Sequence, residues 1–192
     1  MARMLVLLAY VLLTFGSGQL SHAQPTDNAM TKQPASARDM YLSLRELALT
    51  GRIQDDVVNA NYGVVLDMPI DENTATFALH GDGTVSLYYS NGGGIIGIGQ
   101  SSPEISKSAR DLIDVLASQE SYIRRSKSFH QTTSYPLPGQ SEAFIYFKTP
   151  TDVLLARVSI AQLDSGKHEL STLWHDLQKL LGRVVRAQSE KS

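Results

Sequence analysis

The chain of 192 residues contains no cysteine. It therefore has no disulfide framework, no zinc-thiolate centre, no thiol nucleophile and no acylated lipoprotein cysteine. It also lacks an excess of charge of one sign, since 17 basic residues stand against 19 acidic ones for a formal net charge of −2. That balance excludes the broad basic character expected of a nucleic-acid binder. A bilayer-spanning helix needs about 20 apolar residues, and the run from Leu5 to Phe15 is too short before Gly16, Ser17 and Gly18 break it. What remains is the composition of a folded chain, 42% hydrophobic and 19% charged, not of a disordered one.

The first two dozen residues read as an export signal, with Arg3 supplying the positive end and Leu5 to Phe15 the short apolar centre. Ser21 and Ala23 place small residues at the −3 and −1 positions of a cut before Gln24. A mature chain of about 169 residues follows, long enough to bury about 70% of its unfolded surface without covalent staples. Residues 24–37 contain Pro25 and Pro34 and no apolar periodicity, so they read as a flexible polar tether. Residues 38–192 read as one domain.

Hydrophobic spacing sets out the elements of that domain. Met40, Tyr41, Leu44, Leu47 and Ala48 fall on one face of a helix, with Gly51 placed to end it. The period then drops to two from Val58 to Met68, which predicts a strand, with Pro69 to Asn73 as the turn into a second strand carrying Ala75, Phe77 and Leu79. A third strand carries Val85, Leu87 and Tyr89. A three-residue loop, Gly81-Asp82-Gly83, keeps apolar residues opposite one another by pairing Leu79 with Val85 and Phe77 with Leu87, and it puts Gly83 in the left-handed position.

Beyond a glycine-rich link, Ser101 or Ser102 starts a second helix, with Pro103 in its first turn and Glu104 placed to close a capping box on Ser101. Ile105, Ala109, Leu112, Ile113 and Leu116 form its stripe, and Arg124, Arg125 and Lys127 follow it as partners of the helix dipole. A weak strand at 129–135, stronger strands at 143–148 and 153–160, and a final helix with Leu170, Trp174, Leu177 and Leu181 on one face complete the chain. The expected fold is α+β, in an α-βββ-α-βββ-α order. Its helices pack on a mainly antiparallel sheet of about five or six strands.

Two features stand out as candidate contact surfaces. The string Ser90-Asn91-Gly92-Gly93-Gly94-Ile95-Ile96-Gly97-Ile98-Gly99 contains the letters GxGxxG. It lacks the context of a dinucleotide site, which needs a buried parallel strand, an immediate helix and a later acidic residue. A glycine-rich bend or bulge where the backbone leaves the sheet, or a loop whose amides meet a ligand or partner, fits better. The other feature is the face carrying Thr74, Thr76, Ala78 and His80 opposite Ser90, Tyr88, Ser86 and Thr84. Such a hydroxyl-rich face is either the wet side of a half-covered sheet or a binding and self-association surface.

Metal and hydrolase signatures are missing. His168 and His175 are seven residues apart, about 10 Å along a helix and too far to share an ion. There is no HExxH and no GxSxG, and Asp164 to His168 reads as a turn, not a phosphate loop. The stretch Gly83 to Gly99, followed by the helix to Leu116, resembles the signature of a family of uncharacterised bacterial proteins. The resemblance implies no activity, cofactor or catalytic residue, and it supports treating the glycine string as a unit of the fold.

These observations point to an exported periplasmic or secreted protein that binds a protein or small molecule without a cofactor. Its contacts would come from Ser90, Asn91, Gly92, Gly93, Gly94, Thr76, His80 and Tyr88. Two other classes stay open: a small hydrolase built on His80 with Asp67 or Asp82, and a self-associating protein such as a homodimer packed through Thr76 and Tyr88. Mass spectrometry of the protein recovered from its native host is expected to find a chain beginning near Gln24; a soluble cytoplasmic species that keeps Met1 would overturn the export reading.

Overall fold

The computed structural model describes residues 36–53 and 57–190. The residues read as an export signal and almost all of those read as a tether lie outside them. The chain divides into Met1–Gln33 and Pro34–Ser192, and every described element belongs to the second unit. These elements are α1 (Ala37–Thr50), β1 (Gly63–Ile70), β2 (Asn73–His80), β3 (Val85–Tyr89), β4 (Gly94–Ile95), α2 (Ile98–Ser101), α3 (Pro103–Ser118), α4 (Glu120–Ile123), β5 (His130–Thr132), β6 (Glu142–Lys148), β7 (Val153–Ser159), α5 (Ile160–Asp164) and α6 (Ser171–Ser189).

The fold is α+β, with a sheet of seven strands ordered β4-β3-β2-β1-β6-β7-β5 and every pairing antiparallel. The count exceeds the expected five or six because Gly94–Ile95 adds a short edge strand. The β2–β3 register is the expected one, with Phe77 opposite Leu87, Leu79 opposite Val85 and Thr76 opposite Tyr88. Gly83 has φ +87°, and His80 N donates to Thr84 O at 3.0 Å across the three-residue loop. Parity alone sized that loop correctly because one slipped residue would have turned both apolar rows away from the core.

β1 is shorter at one end and longer at the other than its alternation suggests. Asn59 takes φ 63°, which breaks the extended chain, and Val58 is exposed. Pro69 and Ile70 continue the strand, pairing with Thr74 and Asn73, and leave Asp71 at φ 51° in the connection. Proline fits there because the pairing of β1 with β6 stops at Asp67, so its missing N–H removes no bond on that side.

One face of the sheet carries Val64, Leu66, Phe77, Leu79, Leu87, Ile145 and Phe147 into the larger core. α3 covers it with Ile105, Ala109, Ile113 and Leu116, and α6 with Trp174, Leu177, Leu180 and Val184. Trp174 Nε1 donates to Asp164 at 2.8 Å, giving its buried indole a polar partner and tying α6 to α5. The capping box expected on Ser101 and Glu104 is replaced by another arrangement. Ser101 ends α2, Ser102 is the N-cap of α3 without a side-chain capping bond, and Pro103 occupies the first turn. Ser36, read from sequence as part of the tether, instead caps α1 in a reciprocal box with Asp39.

The opposite face is covered by α1 and by the segment joining β5 to β6. The buried side of α1 is Tyr41, Arg45, Ala48 and Leu49, whereas Met40 and Leu47 are exposed. The spacing of apolar residues therefore placed the stripe a fraction of a turn off, because one of the core residues is an arginine. Gly51 ends the helix at φ −57°, without the left-handed conformation expected of it; a side chain there would press on Leu47 O, 2.5 Å from the β-carbon position.

Arg45 is 4% exposed and Asp67, beneath it on β1, is 0% exposed. Nε and Nη2 of Arg45 reach one oxygen of Asp67 at 2.8 and 2.5 Å, and Thr76 donates to the other at 2.5 Å. The guanidinium also donates to the carbonyls of Tyr135 and Pro136 and to the Tyr146 hydroxyl, at 2.8 to 2.9 Å. Burial pushes the Asp67 carboxyl up from its ordinary value, against the pull of Arg45 and Thr76. Burial also works to lower the value of Arg45, but the bond and charge of Asp67 outweigh it and hold Arg45 above its ordinary value. Arg45→Leu leaves an uncompensated buried carboxylate and is expected to lower the unfolding free energy by about 3–5 kcal/mol in urea titrations. Arg45→Leu combined with Asp67→Leu recovers only part of that loss, since the two carbonyls remain unpaired.

Candidate functional site

The hydroxyl-rich row is neither wet nor open. Thr76 is 0% and Tyr88 7% exposed, and Tyr41 of α1 meets Thr76 at 2.8 Å, hydroxyl to hydroxyl. Thr74, Ser86 and Ser90 are buried as well. The row is a polar seam beneath α1, in which the hydroxyls of Ser86 and Ser90 serve main-chain groups: Ser90 Oγ accepts from Thr74 N at 2.9 Å, and Ser86 Oγ from Gly97 N at 3.1 Å. Thr76 and Tyr88 thus belong to the interior and not to a contact surface.

His80 sits at the end of β2, partly buried, with its Nδ1 sealed from solvent and without a hydrogen-bond partner among the described residues. Neither acidic residue considered for it is its partner. Asp67 is held by Arg45 and Thr76, four positions further along the sheet at the pair Asp67–Thr76. Asp82 accepts from the backbone and hydroxyl of Thr84, both at 2.8 Å. The charged groups facing the imidazole are Lys148 on β6 and Asp82 in the loop; burial first, and then the Lys148 cation, hold His80 down to about 4. Lys148 is itself 1% exposed, donates to the Gly51 carbonyl at the end of α1, and is held down to about 8 by burial and by Arg52. This arrangement keeps two bases neutral more readily than water does. Among the described residues, no carboxylate hydrogen-bonds the imidazole to orient it as a general base.

The glycine string is a second tight turn. After Tyr89 the chain folds back through Ser90 to Gly93, with Gly92 N donating to Tyr89 O at 3.0 Å and Tyr89 N to Gly93 O at 3.3 Å. Gly94 then pairs with Tyr88 and Ile95 with Leu87. Gly92, Gly93 and Gly94 have φ of +100°, +81° and +146°, which a residue with a β-carbon rarely adopts. At Gly94 the contact is also steric, since a β-carbon would stand 2.3 Å from Leu87 O. So the glycines are explained by backbone geometry, and the helix following them, α2, is four residues long, unlike a dinucleotide-binding turn. Several positions of the string nonetheless remain outward: Asn91, Gly93 and Gly94 are exposed, and Ile96, just beyond β4, is 68% exposed.

The basic cluster after α3 has a local role. Arg124 bonds Glu120 at 2.6 Å and Asp152 at 2.8 and 2.9 Å, joining α4 to the β6–β7 turn. Arg45 and Lys148 escaped the sequence reading, because a lone cation within an apolar pattern carries no signal of its burial. Among the described residues, no group of three or more histidine and acidic side chains could hold a metal, and no helix is long and apolar enough to cross a membrane. Comparison with protein-family models, with curated proteins and with solved structures finds no match to this chain.

The His80 environment sets a pH dependence. An imidazole whose folded value is lowered from 6.5 to about 4 contributes stability that is complete above pH 6.5 and is lost as the pH falls toward 4, because the unfolded chain takes up the proton first. Urea midpoints at pH 7 and pH 4.5 should differ by an amount equivalent to on the order of 2 kcal/mol more in the wild type than in His80→Gln. Equal differences in the two proteins would sink the assignment.

Proposed function

We propose that the chain is an exported, non-catalytic binding module whose contact surface is the turn from Asn91 to Ile96 at the β4 edge of the sheet. The observation that carries this reading is the exposure of Asn91, Gly93, Gly94 and Ile96 along one short stretch of the chain. Asn91 has no side-chain hydrogen bond among the described residues, although it sits in a turn where asparagine ordinarily makes one. Ile96 adds an exposed apolar group just beyond β4, and the turn itself is closed by the bonds from Gly92 N to Tyr89 O and from Tyr89 N to Gly93 O. An exposed amide and a branched alkyl group on one hairpin suit recognition.

The hydrolase reading on His80 gains nothing from the geometry, as neither Asp67 nor Asp82 meets the ring. Self-association through Thr76 and Tyr88 would require α1 to leave the sheet.

Asn91→Ala and Ile96→Asp are the variants that test the proposal in the full-length chain expressed in its native host. Crosslinking and recovery of the wild-type partner are expected to fall for both, with thermal melting nearly unchanged. Wild-type recovery by both variants would remove the turn as the contact surface.

A further inference from the structure

At the other edge of the sheet, independent of the glycine turn, a cleft of about 210 Å³ opens between the end of α1, the edge strand β5 and the β6–β7 turn. Leu49 and Val153 line it from the buried side, and Arg52, Gln131, Thr133 and Tyr135 from the open side. Its charged lining residues are Arg52 and Asp152. Arg52 is exposed and spends one N–H on the Thr149 carbonyl at 2.6 Å, leaving most of its planar fork without an acceptor among the described residues.

Asp152 feels the Arg52 charge but makes its ion pair with Arg124 instead. One Asp152 oxygen accepts from Arg124 and the Thr149 hydroxyl at 2.8 and 2.7 Å, and the other from Arg124 at 2.9 Å. Behind Arg52 lies Lys148, buried on the Gly51 carbonyl and without an ion pair among the described residues. With neither Arg52 nor Lys148 in an ion pair among the described residues, and Asp152 committed to Arg124, the cleft retains an attraction for an anion.

The remaining lining narrows the chemistry. The side chains of Gln131, Thr133 and Tyr135 make no hydrogen bonds among the described residues, and together they offer an amide and two hydroxyls. The Tyr135 ring packs against Tyr146 in a T-shaped pair, with centroids 6.1 Å apart, which helps to position its side chain. The volume is below the roughly 300 Å³ at which pockets take drug-sized ligands and suits a single small ring. We propose that the cleft binds a monosaccharide acid, its carboxylate on the Arg52 fork and its hydroxyls on Gln131, Thr133 and Tyr135. A bidentate arginine-carboxylate pair gives orientation as well as attraction, which a neutral sugar cannot exploit.

Calorimetric titration of the full mature chain with glucuronate tests this, with methyl glucoside and inorganic phosphate as controls. Glucuronate is expected to bind, and methyl glucoside and phosphate to bind at least about tenfold more weakly, the loss of one charge-assisted contact. Arg52→Gln should weaken glucuronate about ten- to hundredfold while melting stays near wild type, and Tyr135→Phe should weaken it by a smaller factor. Absence of glucuronate binding overturns the proposal, as does equal binding by Arg52→Gln. Phosphate binding as tightly as glucuronate reduces the cleft to a general anion contact and overturns the sugar-acid assignment. Binding seen only after Asp55→Asn and Asp56→Asn, positions outside the described residues, overturns it too, since those carboxylates would then hold Arg52 in the native chain. None of these outcomes bears on the glycine turn.

Discussion

A carboxylate with no access to water constrains the arrangement of one whole face of this protein. Asp67 lies in the central strand β1 at 0% exposure, where an unpaired charge would be untenable. Everything that satisfies it comes from elsewhere: Arg45 from α1, Thr76 from β2, and, through Arg45, the Tyr146 hydroxyl of β6 and two carbonyls of the β5–β6 segment. A hydrophobic contact could slide by an ångström at little cost. These bonds cannot, because each has a directional partner. The helix that covers the face is thereby fixed in rotation and position, and Met40 and Leu47 are turned outward although their spacing suits the inside.

The same constraint explains which parts of the fold were legible in the sequence. The β2–β3 hairpin could be read to the residue because its apolar rows face the larger core, where only hydrophobicity decides. α3 and α6 were legible for that reason too. On the other face the pattern misled, since Thr76, Ser86 and Tyr88 look like a solvent row and Asp67 looks like one of its charged members. Their polarity is internal: Asp67 and Thr76 are matched to Arg45 and Tyr41 of α1 and Ser86 to Gly97 N, and composition does not reveal which polar residues find partners elsewhere in the chain. β4 was missed for a different reason. Two residues of strand among glycines have no periodicity to detect, and the pairing with β3 exists only because three successive glycines allow the reversal.

For the candidate site, the string from Ser90 to Gly94 was recognisable as unusual, yet its parts divide by role. Ser90 is a buried brace for Thr74, the glycines are conformational necessities, and Asn91 is the member left facing outward. His80 stood out as a lone histidine beside acidic residues in sequence, but proximity along a strand is a poor guide to contact when neighbours alternate faces and pair across the sheet. Lys148 and Arg52, which set the electrostatics at the end of α1, could not be singled out at all. Lysine at the end of a strand and arginine after a helix are ordinary until burial and the absence of a counter-charge are known.

The chain order suggests two halves, β1–β4 and β5–β7, joined where β1 pairs with β6. Arg45 denies them independence. Its partners Tyr135, Pro136 and Tyr146 lie 90 to 101 residues further along the chain, so an N-terminal half made or threaded first carries an incompletely satisfied ionic centre until the second half arrives. Complete pairing of Arg45 therefore waits on long-range closure. Until then β1 presents the edge that β6 later pairs, which is where a chaperone or a second unfinished copy would find an unguarded sheet.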